Sequence, residues 1–99
     1  MSVIVDLTVF PVGVGESLSP YVARVLRVIR DSGLPYELGP MSTSIEGEWG
    51  EVMAVVTACF EELRSDCGRI SMTMRVDWRE GEGRMRSKPE SVLSKLPAV

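Results

Sequence analysis

The stretch Ile70-Ser71-Met72-Thr73-Met74-Arg75-Val76-Asp77-Trp78-Arg79 alternates without a break. Ile70, Met72, Met74, Val76 and Trp78 fall on one side, and Ser71, Thr73, Arg75, Asp77 and Arg79 on the other. A period of two belongs to a strand, because successive side chains point to opposite faces. One side is apolar and the other polar, so the pattern predicts a strand with one buried face. Such a strand needs partners in a sheet and a layer over its apolar side. With 99 residues, the chain has material for one domain, 1–99, and one core.

The rest of the chain supplies those partners. Val3 to Val12 is rich in β-branched residues, with Val3, Val5, Leu7 and Val9 on one side and Ile4, Asp6, Thr8 and Phe10 on the other. Pro11 and the Gly13–Gly15 stretch end this strand. Ser19 and Pro20 suit the N-cap and first turn of a helix. Val22, Val25, Leu26 and Ile29 form its apolar stripe, and Gly33 stops it. Tyr36–Leu38 and Met41–Glu46 read as strand material broken by Gly39-Pro40, either a hairpin or one bulged strand. A second helix is expected from about Glu51 to Asp66, with Val52, Val55, Val56, Cys59, Phe60, Leu63 and Cys67 on its apolar side and Gly68 as its cap. Glu80 to Lys88 reads as a charged loop, and Glu90 to Leu96 as a short tail helix after Pro89.

The order β-α-β-β-α-β is the split βαβ, ferredoxin-like pattern, giving an α+β sandwich. Two helices would cover the aliphatic face of a four-stranded antiparallel sheet, with a short C-terminal helix appended. The other face would display Asp6, Thr8 and Phe10 beside Thr73, Arg75 and Asp77. A single small domain has no second layer for that face, so a homo-oligomer is expected to cover it and to make sheltered pockets at the seam.

Composition narrows the chemistry. There is no histidine, which excludes Ser-His and Cys-His catalytic pairs and His-ligated metals. Two cysteines cannot complete a structural zinc site, and Cys59 and Cys67 are spaced too far along one helix for a disulfide. Eleven basic against fourteen acidic side chains leave a net charge of −3, which argues against a nucleic-acid partner. No apolar run is long enough to span a bilayer, and Met1–Asp6 lacks the basic start of a signal peptide, so a cytoplasmic location is expected. Gly13-Val14-Gly15 sits where phosphate loops sit, but Leu18 breaks the Gly-x-Gly-x-x-Gly pattern and a plain turn is the simpler reading.

Three acids, Asp6, Glu46 and Asp77, are expected on or beside strands. Glu46 has Thr43 and Ser44 just upstream and Trp49 just downstream, with Tyr36 at the other end of the segment. A carboxylate, neighbouring hydroxyls and an aromatic face suit a flat polar ring, although ordinary packing also explains each aromatic.

Asp6-Leu-Thr-Val-Phe-Pro-Val-Gly13, Ser17-Leu-Ser-Pro-Tyr-Val22, Tyr36 to Glu48 and Arg69 to Arg79 together resemble the thiamine-binding protein family, with Thr43–Gly47 the most specific stretch. The resemblance implies a ferredoxin-like fold, association into dimers or tetramers, and binding of thiamine or its hydroxymethylpyrimidine moiety without catalysis. It assigns the ligand to Thr43 and Glu46, with Tyr36 offering a face; Ser44, Trp49 and Thr8 complete the candidate set. No cofactor and no metal are implied. A cofactor-free ferredoxin-like enzyme and a purely structural or regulatory oligomeric module are the alternatives.

Overall fold

The chain runs β1 (Ser2–Pro11), α1 (Ser19–Asp31), β2 (Tyr36–Leu38), β3 (Thr43–Gly47), α2 (Trp49–Arg64), β4 (Ile70–Arg79) and α3 (Arg84–Ser94). The computed structural model describes residues 2–80 and 84–97, with 84–88 described by their backbone alone. The strands form one sheet in the order β2-β3-β1-β4. Every neighbouring pair is antiparallel. This is the expected α+β, ferredoxin-like arrangement, with the two main helices on one face and a short C-terminal helix.

The core follows the alternation of β1. Val3, Val5, Leu7 and Val9 are buried beneath Val25 and Ile29 of α1 and Val52, Val55, Val56, Cys59 and Leu63 of α2, with Ile45 of β3 among them. Outside this core, the Arg24 guanidinium ties the helices together. It donates to both Asp66 carboxylate oxygens at 2.9 and 3.0 Å, to Glu62 Oε1 at 3.3 Å and to the Glu62 carbonyl at 2.8 Å.

The segment 36–47 resolves into a hairpin. β2 and β3 pair from Tyr36↔Ile45 to Leu38↔Thr43, and the Gly39 N–H donates to the Ser42 carbonyl at 2.8 Å across the turn. Gly33 adopts φ +79° just past α1, the left-handed conformation that a glycine past a helix end supplies most easily.

Several expectations are corrected. Leu18, not Ser19, occupies the N-cap of α1, and no side chain caps it; Ser19 is already helical. α2 starts two residues early, at Trp49, and ends at Arg64 with Ser65 as its cap, so Cys67 and Gly68 lie beyond it. Cys67 is nevertheless buried, and both cysteines are free thiols. α3 begins at Arg84 and carries Pro89 inside it. Of the expected charged loop, residues 81–83 lie outside the described residues.

The largest correction concerns β4. Its apolar row faces the helix side, with Met72, Met74, Val76 and Trp78 opposite Val9, Leu7, Val5 and Val3 of β1. Yet these four are 41%, 37%, 42% and 54% exposed. The cause is position. β4 is an edge strand, while the helices centre on β1 and β3 and leave it at the margin of their cover. Phe60, expected in the core, is only partly buried for the same reason and borders a groove with Met53, Met72 and Met74.

Candidate functional site

The ladder registers sort the candidate residues onto two faces. Val5, Ile45 and Val76 share the helix side, so every second residue from them does too. Thr43 pairs with Leu7, and Tyr36 with Ile45, which places both on the helix side. Ser44 pairs with Asp6, and Glu46 with Ile4, which places them on the opposite, open face. Thr8 belongs to the open face by the same alternation. Trp49 starts α2 and is 55% exposed. The six candidates are therefore not gathered at one point.

On the open face, Asp6 is the centre of a small polar network. The Ser42 hydroxyl donates to Asp6 Oδ1. Arg75 Nη2, from the other neighbouring strand, donates to Asp6 Oδ2 at 3.2 Å. The Thr8 hydroxyl donates to the Met41 carbonyl at 3.1 Å, so the hairpin turn is pinned along β1. A hollow of about 350 Å³ opens beside this network, lined by Ile4, Asp6, Arg75, Val76 and Asp77. Asp77 in turn faces Arg79 at 3.8 Å.

Glu46 stands on the β3 side of Ile4 and is only 7% exposed. Both α2 and α3 pack against β3. A carboxylate so withdrawn from water needs a polar partner. The next residue, Gly47, lets α2 approach. A Cβ there would lie 3.2 Å from Val52 Cγ2 and 3.3 Å from Leu34 Cδ2.

On the helix side, Thr43 is buried at the mouth of a second hollow, between α1 and the hairpin. Its walls are mainly apolar, including Leu7, Val22, Leu26, Leu38 and Met41, and its volume is about 120 Å³. Among the described residues no group of three or more His, Cys, Asp or Glu is arranged to hold a metal. No described helix is long and apolar enough to cross a membrane.

Alternation alone foretold that Asp6 and Arg75 would share the open face. The Ser42–Asp6 bond was missed, since it depends on how the hairpin turn lies against β1, and no local pattern encodes that.

Fold and face together define a ferredoxin-like α+β domain with one sheet face under two helices and the other bearing a hollow lined by Asp6, Arg75 and Asp77. The chain belongs to the thiamine-binding protein family, whose model matches residues 5–93. The UPF0045 protein Mb1933 of Mycobacterium bovis is 48% identical over 82 residues, covering 82% of this chain and 80% of that one. The UPF0045 protein sll0230 of Synechocystis is 38% identical over 100 residues, covering 100% of this chain and 78% of that one. A crystal structure of TM0486 from Thermotoga maritima, provisionally assigned to thiamine biosynthesis or salvage, superposes with a TM-score of 0.82 at 26% identity, over 93% of this chain and 99% of that one. Protein MJ1052 of Methanocaldococcus jannaschii shares the fold, with a TM-score of 0.83 at 22% identity, over 96% of this chain and 98% of that one.

Proposed function

We propose that this protein binds thiamine or its hydroxymethylpyrimidine moiety on the open sheet face and does not turn it over. The observation that carries the reading is that Asp6, paired across the ladder with Ser44 and sharing its open face with Glu46, lines a hollow of about 350 Å³. That volume falls within the ~300–1,000 Å³ usual for small-molecule sites, whereas the 120 Å³ hollow at Thr43 falls below it. An aminopyrimidine offers an amino donor beside ring-nitrogen acceptors. A carboxylate takes the first and a hydroxyl serves the second. Thiamine's thiazolium is cationic, and the carboxylates of Asp6 and Asp77 in the lining of the hollow offer it opposite charge.

Binding without turnover fits a site whose acid Asp6 is engaged by Arg75 and Ser42 and which has no imidazole to move protons near neutral pH. A second copy laid over the open face would exclude water from the seam. Thr43 and Tyr36, on the other side of the sheet, would act through the position of β3, and Trp49 would stand outside the hollow.

Isothermal calorimetry with thiamine and with hydroxymethylpyrimidine tests this. Asp6→Asn and Glu46→Gln each remove a charged acceptor, with an expected loss of about ten- to a hundredfold in affinity. Absence of heat with both ligands, or unchanged affinity in both variants, contradicts the proposal.

A further inference from the structure

Two arginines of this domain hold aspartates, and they hold them differently. Arg24 is fixed, with its guanidinium forked onto both Asp66 oxygens and bonded twice to Glu62. Arg75 is loose. It reaches Asp6 Oδ2 through one nitrogen at 3.2 Å, and its side chain is 83% exposed. A single contact from so exposed an arginine is worth little and is easily exchanged for another.

Asp6 does not depend on Arg75 for its position. The Ser42 hydroxyl donates to its other oxygen, Oδ1, and β1 lies between β3 and β4 in the sheet. When Arg75 swings away, Asp6 Oδ2 becomes an open acceptor in the lining of the hollow. The second acid of that lining is balanced as well, since Asp77 Oδ1 has Arg79 Nε at 3.8 Å. Each of the two carboxylates that line the hollow therefore already faces an arginine.

A ligand that donates to Asp6 Oδ2 takes the place of Arg75. The displaced guanidinium does not leave, because residue 75 is paired with Asp6 across the ladder and itself lines the hollow. A neutral amino group gives up only the exposed contact that it replaces. A cationic ligand also meets the displaced guanidinium as a like charge at close range.

We propose that Arg75 is the specificity-determining residue of the open-face hollow: it occupies Asp6 as a displaceable counter-ion and so favours a neutral aminopyrimidine over a ligand that carries a positive charge. This rests on the ligand lying on the open face, and it narrows that ligand to one class. The role belongs to the charge of residue 75 rather than to the shape of the guanidinium, since one nitrogen makes the contact. Lysine should therefore replace arginine here, and glutamine should not.

Calorimetry with thiamine and with hydroxymethylpyrimidine, on the unaltered protein, Arg75→Gln and Arg75→Lys, tests this at mildly alkaline pH, where the aminopyrimidine ring is uncharged. Arg75→Gln is expected to tighten thiamine about tenfold and hydroxymethylpyrimidine about twofold. Arg75→Lys is expected to keep both affinities within about twofold of the unaltered protein. The gain of Arg75→Gln for thiamine is expected to shrink as salt rises, because an exposed charge is screened. The far-UV spectrum of each variant checks that it is folded. Equal tightening of both ligands by Arg75→Gln, weaker thiamine binding in it, or the same selectivity in Arg75→Lys as in Arg75→Gln overturns the proposal and leaves the open-face reading standing. Absence of heat with both ligands in all three proteins, or unchanged affinity in Asp6→Asn, overturns the open-face reading itself and this proposal with it.

Discussion

Gly47→Ala is a sensitive probe of how closely β3 and α2 approach beside the candidate site. Nothing in the backbone forbids alanine, since the positive-φ glycines of the described residues are Gly13, Gly15 and Gly33. Reduced freedom of the unfolded chain alone would stabilise the variant by ~0.4–1 kcal/mol. Space opposes this, because the new Cβ sits 3.2 Å from Val52 Cγ2, and Val52 is fully buried with no room to retreat. Leu34, at 3.3 Å, is only partly buried and can swing aside. Overpacking of this kind costs ~1–3 kcal/mol, so the net effect is a loss of about 1 kcal/mol, or roughly 4–8 °C in Tm. Val52→Ala alone should cost about 2 kcal/mol in lost burial and cavity. In the double variant the alanine at 47 occupies part of that cavity, so the loss should fall short of the sum by at least ~0.5 kcal/mol. Urea unfolding of all four proteins at one protomer concentration measures each quantity. A more stable Gly47→Ala, or additive losses, would refute the packing argument.

Other consequences follow from the core and the helix clamp. Ile29, fully buried between α1 and the sheet, should lose about 3 kcal/mol on truncation to alanine, read from the urea midpoint. Burial, aided by the charge of Glu62, pushes the Cys59 thiol up to about 11 from its ordinary 9. The folded state thus keeps a proton that the unfolded state releases, and stability should decline as pH rises from about 9 to about 11. Cys59→Ala should flatten that decline in urea titrations across the range, and an unchanged decline would remove Cys59 as its source. The hydrogen bond from Arg24 holds the Asp66 carboxyl below the usual aspartate value. Its stabilising contribution should be present above the unfolded pKa and lost as pH falls through the folded one. Arg24→Ala should return the Asp66 titration, followed by NMR, toward that of a free aspartate.

The element order was legible because it rests on local period: two in β1 and β4, and 3.6 in the helices. The helix-side row of β1 could be read directly from Val3, Val5, Leu7 and Val9. What alternation cannot report is how far a covering layer extends. The same pattern in β4 therefore suggested burial, while its edge position leaves Trp78 and Val76 half in water. The site was legible in part. Thr43 and Glu46 stand three apart on a strand, so the pleat sends them to opposite faces. Their grouping came from a shared motif, and the separation is visible only once Tyr36–Gly47 is known to be a hairpin of two strands in fixed register. Asp6 gains its place through Ser42 and Arg75, 36 and 69 residues away. Contacts of that range carry no sequence signal in a single chain.

The central claim is that the ligand occupies the open face, and amide chemical-shift mapping on hydroxymethylpyrimidine addition tests it most directly. The predicted result is saturable shifts clustered at Ile4, Asp6, Ser44, Glu46, Arg75 and Asp77, with Val22, Leu26 and Leu38 unmoved. Shifts confined to Val22, Leu26, Leu38 and Thr43 would place the ligand under α1 and contradict the account.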